Sequence, residues 1–565
     1  MRSIFKQELL KANSDPADRR WIFVPYDQVT DKIGPLVREP AEKLGIILVE
    51  NVWKPGRRPY HKQKLAFILA NLRHFALEQA RRGVAVIHLA IDGPYREALE
   101  RVLPDVGGKI FMMRAAEREL RVDLQPLVDD GRLVVLPHEG WLTSSQDFID
   151  ATNLSPPWRM DAFYRKIRQR QNILMVDGKP VGGKYSFDTE NRQRWSGIPA
   201  APELPSYPID PIKEEVGRLI DQHFSEHPGV LDLTKLAATV ADAEHLWSWA
   251  RKNALPLFGP YEDAMSVNSS NLFHTHVSTL LNIGRLLPRN LINDVLALEE
   301  ISLASREGFV RQILGWREYM RHIHESTDGF RKIPGAQILI ADTPGDGGYE
   351  LWAGKPWIDY DPKITDPDGG AKPSYLDAHN PLPPAYWGAK SGLNCLDRVV
   401  ESVWNEGYSH HITRLMVLSN IAALLDIEPR QLTDWFWVAY TDAYDWVVEP
   451  NVLVMGTYAV GDIATTKPYI SGAAYINKMS DFCRGCKFDP SKNCPITPMY
   501  WAYLERHKDK LSSNFRLQMP INSLAKRADE KKESDRKTYS DVLKKLLAGE
   551  ILHPGDNQLE VTPPS

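Results

Sequence analysis

The sequence predicts a chain in two parts: an α/β domain built on a doubly wound parallel sheet, followed by an all-α domain. Three observations carry this. Short β-branched or apolar runs recur through the first third of the chain. Amphipathic segments of helical period separate several of them. Beyond a proline-rich stretch the strand patterns nearly vanish and helical ones take over.

The runs are "RWIFV" (20–24), "GIILVE" (45–50), "GVAVIHLAI" (83–91), "KIFMM" (109–113) and "RLVVL" (132–136). The clearest helical segment is "HKQKLAFILANLRHFALEQARR" (61–82), with Leu65, Ile68, Leu69, Leu72 and Phe75 on one face. Sheets of this kind bind ligands beyond the carboxyl ends of their strands, so "VPYDQV" after the first strand is a candidate site. Spacing alone leaves a purely structural layer equally open there. The α/β domain is expected over 1–195. The stretch "WSGIPAAPELPSYPIDPI", with five prolines and no periodicity, predicts a linker over 196–212. Helical patterns such as "REGFVRQILGWREYMRHIHE" and "RQLTDWFWVAYTDAYDWVV" then predict an all-α domain over 213–552, interrupted by a Gly-, Asp- and Pro-rich loop near 341–384. A disordered tail is expected over 553–565.

At 565 residues the chain can bury large cores without covalent staples. The formal charge of −4 excludes a globally basic nucleic-acid binder, so any such contact needs a local patch. Basic segments such as "RHKDKLSSNFR" are candidates, with a solvated helix face as the plainer reading. No apolar run reaches the length of a membrane span and the start carries no leader-like pattern, so a soluble cytoplasmic protein is expected. Phosphate-binding glycine motifs are absent.

Several residues exceed what helices need. In "GYSHHITRLM", His410 and His411 point about 100° apart, so at least one faces the interior; a packed core histidine is the plain alternative. Arg414 follows His411 by three residues and shares its face, while "TDAYDW" offers Asp442 and Asp445. An arginine and an aspartate buried together are costly unless something uses them. Cys483, Cys486 and Cys494 form C-x2-C-x7-C, and Cys395 is the fourth cysteine of the chain. Four thiolates suit zinc or an iron-sulfur cluster, and the spacing does not separate the two.

Long ordered strings, among them "WRMDAFYRKIRQRQNILMVDGKPVGGKYSFDTENR", "GLNCLD", "GYSHHITRLMVLSNIA", "TDAYDWVVEPNVLVMGTYAVGD" and "TKPYISGAAYINKMSDFCRGC", resemble the iron-sulfur bacterial cryptochromes and photolyases, also called prokaryotic (6-4) photolyases. The resemblance runs over nearly the whole chain. It implies an antenna-binding α/β domain, a helical FAD domain, a 6,7-dimethyl-8-ribityllumazine antenna near Asp27 and Gln28, and a 4Fe-4S cluster on Cys395, Cys483, Cys486 and Cys494. Thr275, Val277 and Ser278 are implied at the FAD phosphates, Arg414 and Asp442 as the pair under the flavin, and Asp445 in the segment at the ribityl edge. Trp435 and Trp387 match an electron relay.

His411 matches the proton donor of (6-4) photolyases, a task suited to imidazole with its unperturbed pKa of about 6.5. His410 lies beside it, and Tyr469 and Tyr475 match tyrosines near the lesion. Leu415 stands where eukaryotic (6-4) enzymes carry a second histidine, so a two-histidine mechanism does not carry over. Gln312 is one residue out of register with the photolyase pattern toward Trp316. The implied activity is a light-dependent carbon-carbon lyase acting as a monomer on UV-damaged DNA with a flipped-out (6-4) lesion. A blue-light receptor of the same fold without repair is the alternative. A light-independent nucleic-acid protein with an iron-sulfur clamp would leave the flavin motifs unexplained.

Overall fold

The computed structural model describes residues 3–345, 348–353 and 368–555. Five parallel strands, β1 (Arg20–Phe23), β2 (Leu44–Asn51), β3 (Ala85–Ile91), β4 (Ile110–Met113) and β5 (Leu133–Leu136), form one sheet in the order β3-β2-β1-β4-β5. Each coincides with one of the five apolar runs. β1 is central, pairing Arg20–Phe23 with Leu44–Ile47 on one side and Ile22 with Phe111 on the other. β2 is buried from Leu44 to Glu50, which is why its sequence runs apolar rather than alternating.

Helices α1 (Ile4–Ala12), α2 (Lys62–Arg81), α3 (Tyr95–Val102) and α4 (Arg118–Asp129) cover the sheet. α2 is the amphipathic segment. Its start is capped by the His61 side chain, which accepts from Gln63 N at 3.0 Å, while His61 N donates to Val438 O at 2.8 Å and ties the helix to the second half of the chain.

Helices α5 (Ser145–Thr152) and α6 (Met160–Gln171) correct the sequence boundary at 195, because they lie on the helical part and not on the sheet. Trp158 N donates to Ile463 O at 2.7 Å, and Tyr164 Oη to Glu307 Oε1 at 2.9 Å. Periodicity shows that a segment is a helix; it does not say what covers its apolar face. Residues 196–210 carry no regular element, and α7 (Pro211–His223) opens with Asp210 accepting from Ile212 and Lys213 N.

Among the described residues beyond His223 the regular elements are helical apart from a two-stranded ribbon, Ile340–Ala341 with Gly370–Ala371, at the loop expected over 341–384. Part of that loop, and most of the expected tail, lie outside the described residues. The helical part includes α8 (Ser278–Asn282), α9 (Asn394–Glu406), α10 (Pro429–Ala439) and α11 (Ala473–Met479). Among the described residues no helix is long and apolar enough to cross a membrane.

Candidate active site

A cavity of about 1480 Å³, its open mouth included, lies inside the helical part. Three π-helical segments, Arg311–Arg317, Arg414–Ser419 and Pro450–Gly456, all contribute to its wall. Wide turns of this kind are concentrated at functional sites, since each displaces side chains from ordinary helical register. Gln312 is one of the residues displaced onto the wall, where its Nε2 donates to Glu262 Oε1 at 2.6 Å.

Thr275, Val277, Ser278, Arg414 and Asp442 line this cavity together. Arg414 Nη1 and Nη2 donate to Asp442 Oδ1 and Oδ2, both at 3.0 Å, and Ser278 Oγ at the start of α8 donates to Oδ2 at 2.7 Å. Arg414 also lies over the Tyr440 ring at 4.1 Å. Burial alone would push the Asp442 carboxyl up; the guanidinium and the serine hydroxyl more than offset it and hold it below the usual range. The cavity therefore presents an organised ion pair flanked by hydroxyls, an arrangement that suits a polar cofactor better than a packed core.

The two adjacent histidines part company. His411 is exposed on the cavity wall, its Nε2 3.8 Å from Asp263 Oδ1. Tyr475 Oη of α11 donates to Asp263 Oδ2 at 3.2 Å, so one carboxylate joins the two expected groups. Asp263 carries no motif in the sequence and only its position reveals it. His410, expected with the catalytic residues, is 2% exposed, stacks on His274 at 4.4 Å and does not line the cavity. Burial lowers both of these rings well below the ordinary histidine range. Tyr469 is half-buried beside Thr465, with Asp188, Arg516 and Arg192 as the charges around it.

Asp445 does not line the cavity. Its Oδ2 accepts from Arg118 N at 2.5 Å and Glu119 N at 3.2 Å, capping α4 of the sheet domain. The "TDAYDW" turn sends Asp442 and Asp445 to opposite sides, one to the cavity and one to the interface with the sheet.

A second cavity of about 1050 Å³, mouth included, sits at the carboxyl ends of β2 and β3. It is mainly apolar, with Tyr26, Asn51, Lys54, Lys64 and Glu117 among its polar groups. Asp27 and Gln28, expected at an antenna, do not line it. Gln28 Nε2 donates to Met113 O at 3.0 Å and Arg114 O at 3.1 Å, and Asp27 accepts from Ala116 N at 3.3 Å. Of that stretch, Tyr26 is the residue that lines the cavity.

Cys395 near the start of α9, Cys483, Cys486 and Cys494 converge on a pocket of about 320 Å³ walled by Phe482, Phe488, Ile476 and Ile496. All four thiols are free of disulfides. Burial, then the neighbouring cysteines, push the Cys395 thiol well up, and burial raises Cys483 to about 11 and Cys494 to about 12. Four convergent sulfurs that burial and mutual proximity keep from ionising suit a positively charged metal centre, which would hold them as thiolates.

Trp435 is fully buried in α10 and touches Phe436 and Tyr440, which line the main cavity, at 5.1 and 6.1 Å between ring centres. Trp387 lies further out, and the two are joined through Trp404 of α9.

A five-stranded parallel sheet joined to a helical domain that encloses a large cavity is the architecture of the photolyase and cryptochrome flavoproteins. Two solved structures share it across the chain: a bacterial class III photolyase from Agrobacterium tumefaciens (14% identity, TM-score 0.52, 95% of this chain and 98% of that one) and a Synechocystis cryptochrome (13%, 0.52, 92% and 99%). A family model described as deoxyribodipyrimidine photo-lyase-related protein matches residues 22–235. Over 559 residues the chain is 30% identical to a (6-4) photolyase of Agrobacterium fabrum, covering 93% of this chain and 99% of that protein. This chain belongs to the bacterial photolyase and cryptochrome family. Membership implies FAD as the cofactor.

Proposed function

We propose that this protein repairs (6-4) pyrimidine-pyrimidone photoproducts in DNA by light-driven electron transfer. The observation that carries the reading is His411: an exposed imidazole on the cavity wall, one helical turn before Arg414, with Asp263 and Tyr475 beside it. FAD, when bound and reduced, supplies the electron on absorbing light. Thr275, Val277 and Ser278, together with the Arg414–Asp442 pair, would hold it in the main cavity.

His411 donates a proton to the lesion, a role that needs the imidazole at the mouth and not at the buried position of His410. Asp263 accepts from Tyr475 Oη and lies 3.8 Å from His411 Nε2, so it orients the phenol beside the imidazole. Tyr469 and Tyr475 supply aromatic surface and hydroxyls for a flipped-out nucleotide, whose extrusion costs less for a damaged base than for an intact one.

We further place a 4Fe-4S cluster on Cys395, Cys483, Cys486 and Cys494, and a lumazine antenna in the second cavity, where tyrosines and apolar side chains offer a flat ring surfaces to lie against. The decisive experiment uses one purified sample and a defined (6-4) oligonucleotide, illuminated and dark. Repair in light alone supports the reading. Lesion binding and photoreduction without repair would make the protein a receptor of the same fold.

A further inference from the structure

Three imidazoles meet at the wall of the main cavity. His274 comes from the segment before α8, while His410 and His411 stand at the start of the short helix His411–Thr413. His274 and His410 stack at 4.4 Å with 7° between their planes, and the His411 ring stands edge-on to His274 at 5.4 Å. Each ring offers one nitrogen within 4.8 Å of those of the other two.

His274 and His410 are 6% and 2% exposed, yet His274 Nε2 and both ring nitrogens of His410 have no hydrogen-bond partner within the protein. Buried polar atoms are nearly always paired, because a dry one loses its water and gains nothing in return. Packing accounts for the stack. It does not account for unpaired nitrogens on both of its rings, next to a third imidazole.

A metal ion does. Imidazole nitrogen suits zinc, copper and nickel, whereas magnesium and calcium take oxygen ligands. Around one zinc, with each nitrogen about 2.0–2.1 Å away, the nitrogens sit about 3.3 Å apart, so the rings must turn inward to bind. His411 is the ring free to do so, with its side chain 41% exposed. Its Nε2 lies 3.8 Å from Asp263 Oδ1, and a carboxylate against a ligating histidine is the usual outer support of such sites. His274 and His411 both line the cavity, so a fourth ligand, water, reaches the ion from there.

We propose that His274, His410 and His411 form a site for a divalent late transition-metal ion such as zinc, and that its occupancy switches repair off by taking His411 as a ligand. The switch rests on the reading of His411 as proton donor; the site does not. A ligated His411 is drawn toward His274 and His410 with a ring nitrogen committed to the ion, so it no longer delivers a proton to the lesion. Photoreduction of the flavin needs no such proton and continues. Binding is a reversible coordination and consumes no co-reactant.

The test uses the holoprotein and zinc chloride, with calorimetry for uptake, thermal melting, and repair of a (6-4) oligonucleotide in light. Wild type should take up one zinc more than His411→Gln, a difference that removes any metal held at the cysteines. Saturating zinc should raise the melting temperature of wild type and leave that of His411→Gln unchanged. His274→Gln should weaken the same uptake at least tenfold, and magnesium in equal amount should not displace the zinc. Repair should fall at least tenfold with zinc and return on adding a chelator, while photoreduction holds. Identical uptake in wild type and His411→Gln overturns the site. Because His411 is exposed, that variant decides even if His274→Gln fails to fold. Zinc bound at the histidines with repair undiminished overturns the switch. Zinc bound there in a protein that repairs nothing in zinc-free buffer upholds the site and sinks the repair reading, and the switch with it.

Discussion

Arg414 and Asp442 face each other through two parallel hydrogen bonds of 3.0 Å, twenty-eight positions apart in the chain. Removing the guanidinium leaves a buried carboxylate with only Ser278 as side-chain donor. Arg414→Ala should therefore cost about 3 kcal/mol, the lower end for breaking a buried pair, since the arginine side chain is 23% exposed. FAD retention should fall with it, read by flavin absorbance after gel filtration. The sign with pH follows from Asp442, whose carboxyl is held below its usual value: the pair's contribution is present above about pH 4 and lost as the pH falls further. Full flavin occupancy and normal melting in the variant would mean the pair holds nothing.

His411→Ala should bind FAD and lesion DNA almost as wild type and still photoreduce. Repair alone should drop by at least about a hundredfold, the low end of general-acid contributions. His410→Ala should behave differently, because that ring is buried against His274: thermal stability falls, and any loss of repair tracks the loss of folded protein. Equal repair defects with equal stability in the two variants would remove the distinction.

Anaerobically purified protein should hold roughly four irons per chain and lose them in Cys395→Ser. That variant should also melt earlier, because α9 and the 483–494 segment meet at the four sulfurs and are otherwise distant in sequence. Metal analysis returning one zinc per chain would refute the cluster.

Asp445→Ala removes the acceptor that caps α4 from across the domain interface. A loss of about 1–2 kcal/mol is expected, as for other helix caps, with flavin binding intact. Loss of flavin without loss of stability would return Asp445 to the cofactor.

Asp27 is raised to about 6, chiefly by burial, from an unfolded value near 3.8. The folded chain therefore holds this proton where the unfolded chain has released it, and stability declines as pH rises between about 4 and 6. Asp27→Asn should flatten that decline and stabilise the protein at pH 8, read by urea unfolding across the range. An unchanged pH profile would place the Asp27 carboxyl in water.

Some of this was legible early because its cause is local. Five apolar runs bounded by turn residues dictate strands wherever they pack, and all five form the sheet. The heptad-like face of 62–81 dictates a helix, and motif resemblance was enough to bring Thr275, Ser278, Arg414, Asp442 and the four cysteines to two sites. Other features depend on where separate elements meet. Whether α5 and α6 cover the sheet or the helical part is a question of docking, and the sequence boundary at 195 missed it. Asp442 and Asp445 lie three residues apart in similar surroundings, yet the turn between them sends one to the cavity and the other to cap α4. His410 and His411 differ by one position and by everything that burial does to an imidazole.

The sequence by itself determined the elements, the family and the residue types of the sites, because periodicity and ordered motifs are properties of the chain taken locally. Only the tertiary structure decided which histidine meets the cavity, that Asp263 joins His411 to Tyr475, that Tyr26 and not Asp27 faces the second cavity, and that Trp404 stands between Trp435 and Trp387. Each of these is a contact between segments far apart in sequence, set by how helices and sheet pack around one another, and no local pattern encodes the direction in which a side chain points once they have packed.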